Sequence, residues 1–257
     1  MQQHSASAKP REGARVVGAF IDAISWDRAL QTIESWASRR ESRYVCACNV
    51  HMVMSMRNDA AVDRTVQGAD MVLPDGMPVA WMMRKLGFRE QPKISGGDFM
   101  SRYFALAEAS GTSLYFYGST PQTLDLLKRR LSAAYPRLQI AGMHSPPFRE
   151  QSAEEDDEDV ARINASGAGV VFVGLGCPKQ EMWMAAHRAR VHAVMIGVGA
   201  AFNFHAGTVK RAPEWMQRAG LEWLYRLAAE PGRLWKRYLT TNFSFILGAL
   251  RQLILAK

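Results

Sequence analysis

The chain has 257 residues, of which 48% are hydrophobic and 22% charged, a balance typical of a globular protein with a sizeable core and not of a disordered chain. Three cysteines are too few for a disulfide framework and lack a zinc-binding spacing, which predicts a reducing compartment. The formal net charge is +8, and residues 207–257 contribute +6 of it, from nine Lys and Arg against three Glu. A basic end of this kind favours an anionic partner, whether nucleic acid, lipid head groups or pyrophosphates.

Apolar runs alternate with helical patterns along most of the chain, after a polar stretch at residues 1–15 that has no apolar signal core and is expected to be a loose tail. The predicted strands are RVVGAFI, YVCACN, ADMVLPDG, SLYFYGS, LQIAGMH, VVFVGLG and HAVMIGVG. The predicted helices are SWDRALQTIESWASRR with Ser25 as its N-cap, a helix from about Val50, MPVAWMMRKLG, GGDFMSRYFALAEASG, TPQTLDLLKRRLSAAY, EEDDEDVARINASG and PKQEMWMAAHRAR. The alternation predicts an α/β fold, a Rossmann-like and mainly parallel sheet with helices on both faces.

The alternation stops near Phe204. Beyond it, RAPEWMQRAGLEWLYRLAAEPG and RLWKRYLTTNFSFILGALRQLILAK are predicted to be two helices separated at Pro231-Gly232. Trp and Tyr stand there beside Lys and Arg, next to an apolar stretch too short to span a bilayer, which is typical of a helix at a membrane surface. Ordinary packing against the core is the alternative, and no segment of the chain is expected to cross a membrane.

The predicted strands end in glycines and polar side chains, and in an open α/β sheet the ligand crevice lies outside these ends. In VVFVGLGCPKQE, Gly174 and Gly176 follow a buried strand, and Pro178 suits the first turn of a helix. Free backbone N–H groups at such a turn can bind phosphate, although an ordinary strand-to-helix turn has the same composition. Gly118 and Ser119 form a second strand end with the same two interpretations, a phosphate cradle or plain helix capping.

Asp75 stands in LPDGMP, between a predicted strand and a predicted helix. It is either the N-cap of that helix or a general base that faces the crevice. A hydroxyl group is a poor nucleophile, and a positioned carboxylate that removes its proton typically accelerates its reaction by about 10²–10⁴. Asn49, at the end of another strand, is a candidate to bind substrate through both ends of its amide.

The acidic run EEDDED contains Asp157-x-Asp159, which has the form of the Asp-x-Asp metal signature of many sugar-nucleotide enzymes. Here it opens a predicted helix, where acidic side chains complement the macrodipole, and it does not follow an apolar strand. We therefore expect a solvated helix start and no metal site.

The strand end at Asn49 and six segments occur in a characteristic order: ADMVLPDGMPVAW, SGGDF, FYGS, VFVGLGCPKQE, GVGAAFNFHAGTVKRAPEWMQRAGLEWLYRL and EPGRLWKRYL. Together, over about residues 16–238, they resemble the WecG/TagA/CpsF family of bacterial glycosyltransferases, known as family 26. The resemblance implies an inverting enzyme that transfers a sugar, usually N-acetylmannosamine, from a UDP-sugar to an undecaprenyl-pyrophosphate-linked sugar.

The same resemblance implies roles for individual residues. Asp75 falls on the position proposed as the general base, and Gln180 falls on a functional glutamine in the family's Gly-x-Pro-Lys-Gln-Glu segment. The family's C-terminal region is thought to touch the membrane and to supply arginines to the active site. With Asp75 as the catalytic residue, the expected substrate ligands are Asn49, Gly118, Ser119, Gly174, Gly176, Lys179, Gln180, Glu181, Asn203, Arg226, Arg233 and Arg237.

Two positions depart from the family pattern. Ala47 stands where members often have a threonine, so one hydroxyl contact is absent. Asn203 replaces an aspartate believed to meet the uracil, which an amide can still bind. Either change is compatible with a different donor sugar, such as glucose in an exopolysaccharide pathway.

The sequence thus predicts a tail at residues 1–15, an α/β glycosyltransferase core at 16–206 and a basic helical appendage at 207–257. The expected enzyme needs no cofactor or metal and works as a peripheral protein on the cytoplasmic face of a bacterial membrane. Its expected partners are the UDP-sugar donor, the lipid-pyrophosphate-linked acceptor and an anionic membrane surface, but not nucleic acid; homo-oligomerisation is left open.

Two alternatives belong to other classes of protein. A basic α/β nucleic-acid-binding module would spread its charge over a groove with exposed aromatic residues. A soluble nucleotide-sugar epimerase or dehydrogenase would carry G-x-G-x-x-G after the first strand, and VVGAFID lacks it.

Overall fold

The computed structural model describes residues 11–255, apart from the side chains of Arg233 and Arg237. Its central strands are β3 (Arg43–Cys48), β4 (Met71–Pro74), β5 (Leu114–Gly118), β6 (Ile140–His144), β7 (Val170–Gly174) and β8 (Val194–Gly197). They form one parallel sheet in the order β4-β3-β8-β7-β5-β6. The chain builds one side of this sheet, crosses to the other and returns to the middle, so the carboxyl ends of β3, β8 and β7 lie at the switch where such sheets bind ligands.

The helices before the appendage are α1 (Trp26–Ser38), α2 (Val50–Asn58), α3 (Ala60–Gln67), α4 (Met77–Lys85), α5 (Gly96–Ser110), α6 (Pro121–Ala134), α7 (Ala153–Ala165), α8 (Lys179–Ala186) and α9 (Ala201–Ala206). One face of the sheet is covered by α1, α5, α6 and α9. The other is covered by α2, α3, α4, α7 and α8. Along β7, Val170 and Phe172 enter the first layer, whereas Val171 and Val173 enter the second. This period-two alternation between two buried faces is why the strand is apolar throughout, and it confirms the predicted α/β fold.

The first predicted strand, RVVGAFI, is instead an antiparallel hairpin of β1 (Gly13–Val16) and β2 (Ala19–Asp22), separate from the main sheet. Val17 and Gly18 form its two-residue turn, and both have positive φ, the geometry that favours a tight hairpin. The prediction of a loose tail through residue 15 is wrong at its inner end: Arg11 Nε donates to Asp22 at 2.8 Å. Residues 1–10 of that predicted tail lie outside the described part of the chain.

The appendage contains α10 (Glu214–Arg218), α11 (Glu222–Ala229) and α12 (Pro231–Leu255). Its first segment was predicted to be one helix, but Gly220, with a φ of 72°, interrupts it. A Cβ on Gly220 would lie 2.8 Å from the Trp81 ring, so close packing of the appendage on α4 also needs glycine there. The predicted boundary near Pro231-Gly232 is confirmed, because Pro231 begins α12.

Helix α12 presents two apolar faces. On one, Leu234 and Phe245 are buried, and the helix packs against α2. The other is exposed over its length and comprises Trp235, Leu239, Phe243, Ile246, Leu250 and Ile254. Core packing, one of the two sequence-based interpretations, therefore holds for one face of the helix. The other face is exposed, and membrane contact there stays a prediction. Within residues 11–255, no helix combines the length and the hydropathy needed to cross a bilayer.

Candidate active site

Asp75 lies at the carboxyl end of β4, beside the end of β3. Its backbone N–H donates to the Cys48 carbonyl oxygen at 3.1 Å, which ties the two strand ends together. The side chain does not cap α4, because Gly76 is the N-cap residue of that helix and no side chain caps it. The capping interpretation of Asp75 therefore fails, and its carboxylate is left partly buried at the crevice.

Asn49 orients this carboxylate. Its Oδ1 accepts the backbone N–H of Met52 at 3.1 Å and so caps α2, while its Nδ2 donates to Asp75 Oδ2 at 3.3 Å. Because the cap fixes which end of the amide faces α2, the NH₂ end must face Asp75. Both ends of the amide are engaged within the protein, so the structure assigns Asn49 a contact with the candidate base.

Burial raises the pKa of Asp75 to about 6, and the negative charge of Glu222 adds to the effect. The hydrogen bond from Asn49 and the positive charge of Lys93 act in the opposite direction. A carboxylate with a pKa near 6 is ionised at neutral pH and is a stronger proton acceptor than an ordinary aspartate. This is the property that a general base for a sugar hydroxyl requires.

A charged cluster that the sequence did not assign to the site lies close by, at the start of α5. Asp98 accepts hydrogen bonds from Ser95 Oγ at 2.6 Å and Arg211 Nη1 at 2.5 Å, and Lys93 Nζ lies 3.1 Å from it. Burial alone would raise the pKa of Asp98, but these three groups hold it well below its usual range. Two cations, Lys93 and Arg211, therefore share one carboxylate next to Asp75.

The appendage completes this cluster. Glu222, the first residue of α11, places Oε1 3.8 Å from Arg211 Nε, and its charge reaches Asp75. Arg226, one turn later, lies over the Phe204 ring at 5.7 Å, and its buried Nε has no hydrogen-bond partner in the described part of the chain. Arg233 and Arg237, the other two arginines expected at the site, belong to α12, but their side chains are outside the described residues.

The GLGCPKQE turn is packed more tightly than the sequence suggested. Gln180 is buried: its Oε1 accepts the Gly199 N–H at 3.0 Å and its Nε2 donates to Glu181 at 2.7 Å. A Cβ on Gly197 would lie 2.9 Å from Gln180 Nε2, so that glycine makes room for the amide. Gln180 therefore holds the β7 and β8 ends together, whereas Lys179 at the start of α8 is exposed to solvent.

Glu181 is fully buried, and one of its carboxyl oxygens has no hydrogen-bond partner within residues 11–255. Burial raises its pKa to about 7, against the opposing hydrogen bond from Gln180. An unpaired carboxylate in such a place is costly, which favours the protonated acid. From its buried position, Glu181 accepts the Gln180 hydrogen bond and so helps to hold the GLGCPKQE turn in place.

The remaining strand-end residues meet at the middle of the sheet. A Cβ on Gly118 would lie 2.6 Å from the Gly174 backbone, and a Cβ on Gly174 would lie 2.9 Å from the Phe202 ring, so both glycines allow close packing. Ser119 has a positive φ, and its N–H donates to the Gly174 carbonyl oxygen. Gly176, also with a positive φ, has open space beside its Cα, which leaves that turn accessible.

Asn203, on α9, uses its backbone carbonyl to accept the N–H of Thr208 at 3.0 Å. Its side-chain amide makes no hydrogen bond within the described part of the chain and is partly exposed, so it is available to a ligand.

The Asp-x-Asp segment forms part of α7, whose start is stabilised by a capping box between Ser152 and Glu155. Asp157 is paired with Arg190 at 2.6 Å. Asp159 is buried and accepts from the Tyr117 hydroxyl at 2.8 Å, so the expectation of a wholly solvated helix start is wrong for this residue. Among the described residues, no group of three His, Cys, Asp or Glu side chains has the arrangement of a metal site.

Three features define the class: a crevice at the carboxyl ends of a parallel sheet, a carboxylate with a raised pKa, and a cluster of cations that the appendage completes. They are those of an α/β enzyme suited to base-assisted transfer of a group that carries an anionic leaving group. The sequence profile of the glycosyl transferase WecG/TagA/CpsF family matches residues 14–257. The chain belongs to this family of glycosyl transferases, which confirms the resemblance found in the sequence.

Two relatives are N-acetylglucosaminyldiphosphoundecaprenol N-acetyl-beta-D-mannosaminyltransferases. The protein of Bacillus spizizenii is 29% identical over 224 residues, which are 86% of this chain and 84% of the relative. The protein of Bacillus subtilis is 34% identical over 176 residues, which are 68% of this chain and 66% of the relative. Both names describe transferases, and neither a nucleic-acid-binding module nor an epimerase is favoured by these matches.

Proposed function

We propose that the protein transfers a sugar from a UDP-sugar to an undecaprenyl-pyrophosphate-linked sugar, with inversion at the anomeric carbon, in the synthesis of a cell-surface polysaccharide. The names of the two relatives support an N-acetylmannosamine donor and a lipid-linked N-acetylglucosamine acceptor. Glucose is the alternative donor sugar, because Ala47 and Asn203 depart from the family pattern.

One observation carries this proposal: the Asp75 carboxylate, freed from helix capping and held by Asn49, has its pKa raised to about 6. In the proposed step the acceptor hydroxyl oxygen forms a bond to the anomeric carbon, and the bond from that carbon to the UDP oxygen breaks. Asp75 takes the hydroxyl proton, and UDP leaves with the electron pair. Direct attack from the face opposite the leaving group inverts the anomeric centre.

The departing diphosphate needs positive charge and N–H donors near the crevice. Lys93 and Arg211 lie beside Asp98, and the first turn of α5, whose free N–H groups favour anions, begins at Gly96. Arg226 of the appendage adds a third cation with an unpaired Nε. Fixed cations of this kind can stabilise a diphosphate leaving group without a divalent metal, so we propose that transfer is metal-independent.

The lipid-linked acceptor must be met at a membrane. The exposed apolar face of α12 and the positive charge of residues 207–257 support a peripheral position on the cytoplasmic face, where anionic lipids attract basic segments. The same appendage carries Glu222 and Arg226, so membrane contact and completion of the site are proposed to occur through one structural unit.

A direct test is to incubate the protein with a panel of UDP-sugars and a lipid-pyrophosphate-linked N-acetylglucosamine and to follow release of UDP and formation of the disaccharide lipid. UDP-N-acetylmannosamine is the expected donor, with UDP-glucose as the alternative. Failure of every UDP-sugar with the wild-type protein, when a relative is active in the same assay, would refute the proposal.

A further inference from the structure

A second cavity, away from the crevice, opens between the end of α2, the β1–β2 turn and the last turns of α12. Its volume is about 780 Å³, within the range of sites that hold small molecules. Arg57 and Asn58 line it from α2, and Leu247, Arg251 and Leu255 line it from α12. Asn49 caps the other end of α2, so the length of that helix, roughly 13 Å, separates this cavity from the candidate active site.

Among the described residues, the cavity lining includes two arginines and no acidic side chain. Arg57 and Arg251 are both exposed, and neither guanidinium has an ion-pair or hydrogen-bond partner among the described residues. Asp59 is the nearest acid along the chain, but its carboxylate accepts the N–H groups of Ala61 and Val62 at the start of α3. Two unpaired guanidinium groups facing one cavity favour a phosphate, which arginine binds through several donors.

The wall of the cavity is held in place by contacts between α12 and the β1–β2 hairpin. Gln252 Oε1 accepts the Val17 N–H at 2.8 Å, and Nε2 donates to the Arg15 carbonyl oxygen. A Cβ on Gly248 would lie 2.5 Å from the Val17 side chain, so glycine lets the helix and the turn pack closely. The position of Arg251 relative to Arg57 is therefore set by tertiary packing.

The rim of the cavity is apolar and continuous with the exposed face of α12. Leu247 and Leu255, which line the cavity, are 52% and 75% exposed, and Leu250 and Ile254 on the same helix are 53% and 72% exposed. An occupant with a phosphate alone would leave these side chains in water. A phosphate joined to hydrocarbon chains would meet both the guanidinium groups and the apolar rim.

We propose that this cavity binds the phosphate head group of an anionic membrane lipid, with Arg57 and Arg251 on the phosphate and the acyl chains against the exposed side chains of α12. The inference rests on the proposed membrane acceptor, and it assigns the lipid contact to a site distinct from the one that binds the lipid-linked substrate. Lipid held there would fix the depth and tilt of α12, which packs against α11.

The test measures partition of the full chain onto vesicles of phosphatidylcholine and phosphatidylglycerol in equal parts. Arg57→Gln and Arg251→Gln are each expected to weaken binding about tenfold, and the double variant to be little weaker than either, because both arginines hold one phosphate. Arg129→Gln, which removes the same charge from exposed α6 on the opposite face of the sheet, is expected to change binding less than about twofold.

A general attraction of basic residues to the surface would give a different pattern, with about fivefold losses that multiply in the double variant. That result, or an equal loss in Arg129→Gln, would overturn the proposal. Saturable binding of inorganic phosphate that disappears in the double variant, while vesicle binding of that variant stays unchanged, would also overturn it, because the site would then take a free anion and not a lipid.

Transfer to a water-soluble short-chain acceptor separates this inference from the proposed function. The single variants are expected to keep wild-type turnover with that acceptor, since neither arginine lies at the crevice. Unchanged vesicle binding with normal turnover would refute the lipid site alone. Absent turnover in the wild type as well would refute the proposed function.

Discussion

The α/β core and the appendage differ in how far their apolar side chains are buried and in which of their basic side chains are paired. In the core, β7 is buried on both faces, and several basic side chains, such as Arg43 and Arg190, are paired with carboxylates. In the appendage, α12 exposes a full apolar face, and Arg226 and Arg251 lack carboxylate partners among the described residues. The apolar side chains of the sheet are therefore enclosed within the core, whereas α12 leaves an apolar face in contact with solvent.

This difference suggests that the core and the appendage contribute different groups to the proposed reaction. In the proposed mechanism the core supplies the base, Asp75, and the appendage supplies Glu222, whose charge acts on Asp75, and Arg226, which lies over Phe204. Each of the following experiments changes one side of this division and asks whether the other side responds.

The largest effect is expected from the core. Asp75→Asn retains the shape and the contact with Asn49 but cannot accept a proton, so turnover is expected to decrease by at least about a hundredfold. UDP binding, measured by calorimetry, should remain. Asp125→Asn, an exposed change on α6, is the matched control. Near-normal turnover of Asp75→Asn would show that Asp75 is not the general base.

The next effect tests the appendage. Arg226→Ala is expected to decrease turnover by about 10²–10³, comparable to the loss of one donor to a developing anion. Vesicle binding should change by no more than about 1 kcal/mol, the contribution of one basic side chain near an anionic surface. Arg218→Ala, which removes an exposed arginine paired with Glu214, should affect turnover little. Equal, modest losses in both assays would assign Arg226 to the membrane surface only.

The coupling between the two regions is expected to be smaller and visible in the pH profile. Because Asp75 must be ionised to act as a base, activity should rise with pH through its pKa of about 6. The negative charge of Glu222 raises that pKa, so Glu222→Gln should displace the acidic limb to lower pH and raise turnover at pH 5 a few-fold. Turnover at pH 8 should change little. Glu214→Gln is the control, and an equal displacement in it would exclude specific coupling.

The smallest effect is expected from removal of divalent cations. If Lys93, Arg211 and Arg226 stabilise the diphosphate, EDTA should change turnover by less than about twofold. Abolition of transfer by EDTA, with rescue by Mg²⁺ or Mn²⁺, would show that the protein cations of both regions are insufficient.

Local patterns identified much of this molecule. Alternating apolar runs predicted the sheet and its flanking helices, Ser25 was predicted as the N-cap of α1 and accepts the Arg28 N–H, and the break at Pro231 was placed correctly. These features depend on residues within a few positions of one another, where side-chain period and backbone propensity decide the outcome. The order of segments also determined the family.

The tertiary structure decided which of those residues meet. Lys93, Asp98, Arg211 and Glu222 form one charged cluster although more than a hundred positions separate its first and last members, and no local period predicts such a contact. Gln180 was expected at the substrate, yet its side chain is buried beside the end of β8. Gly197 leaves room for the amide there, and the Gly199 N–H donates to it. Sequence determined Asp75's place at a strand end, but its pKa follows from burial and from a carboxylate on a distant helix, which only the packed fold brings near.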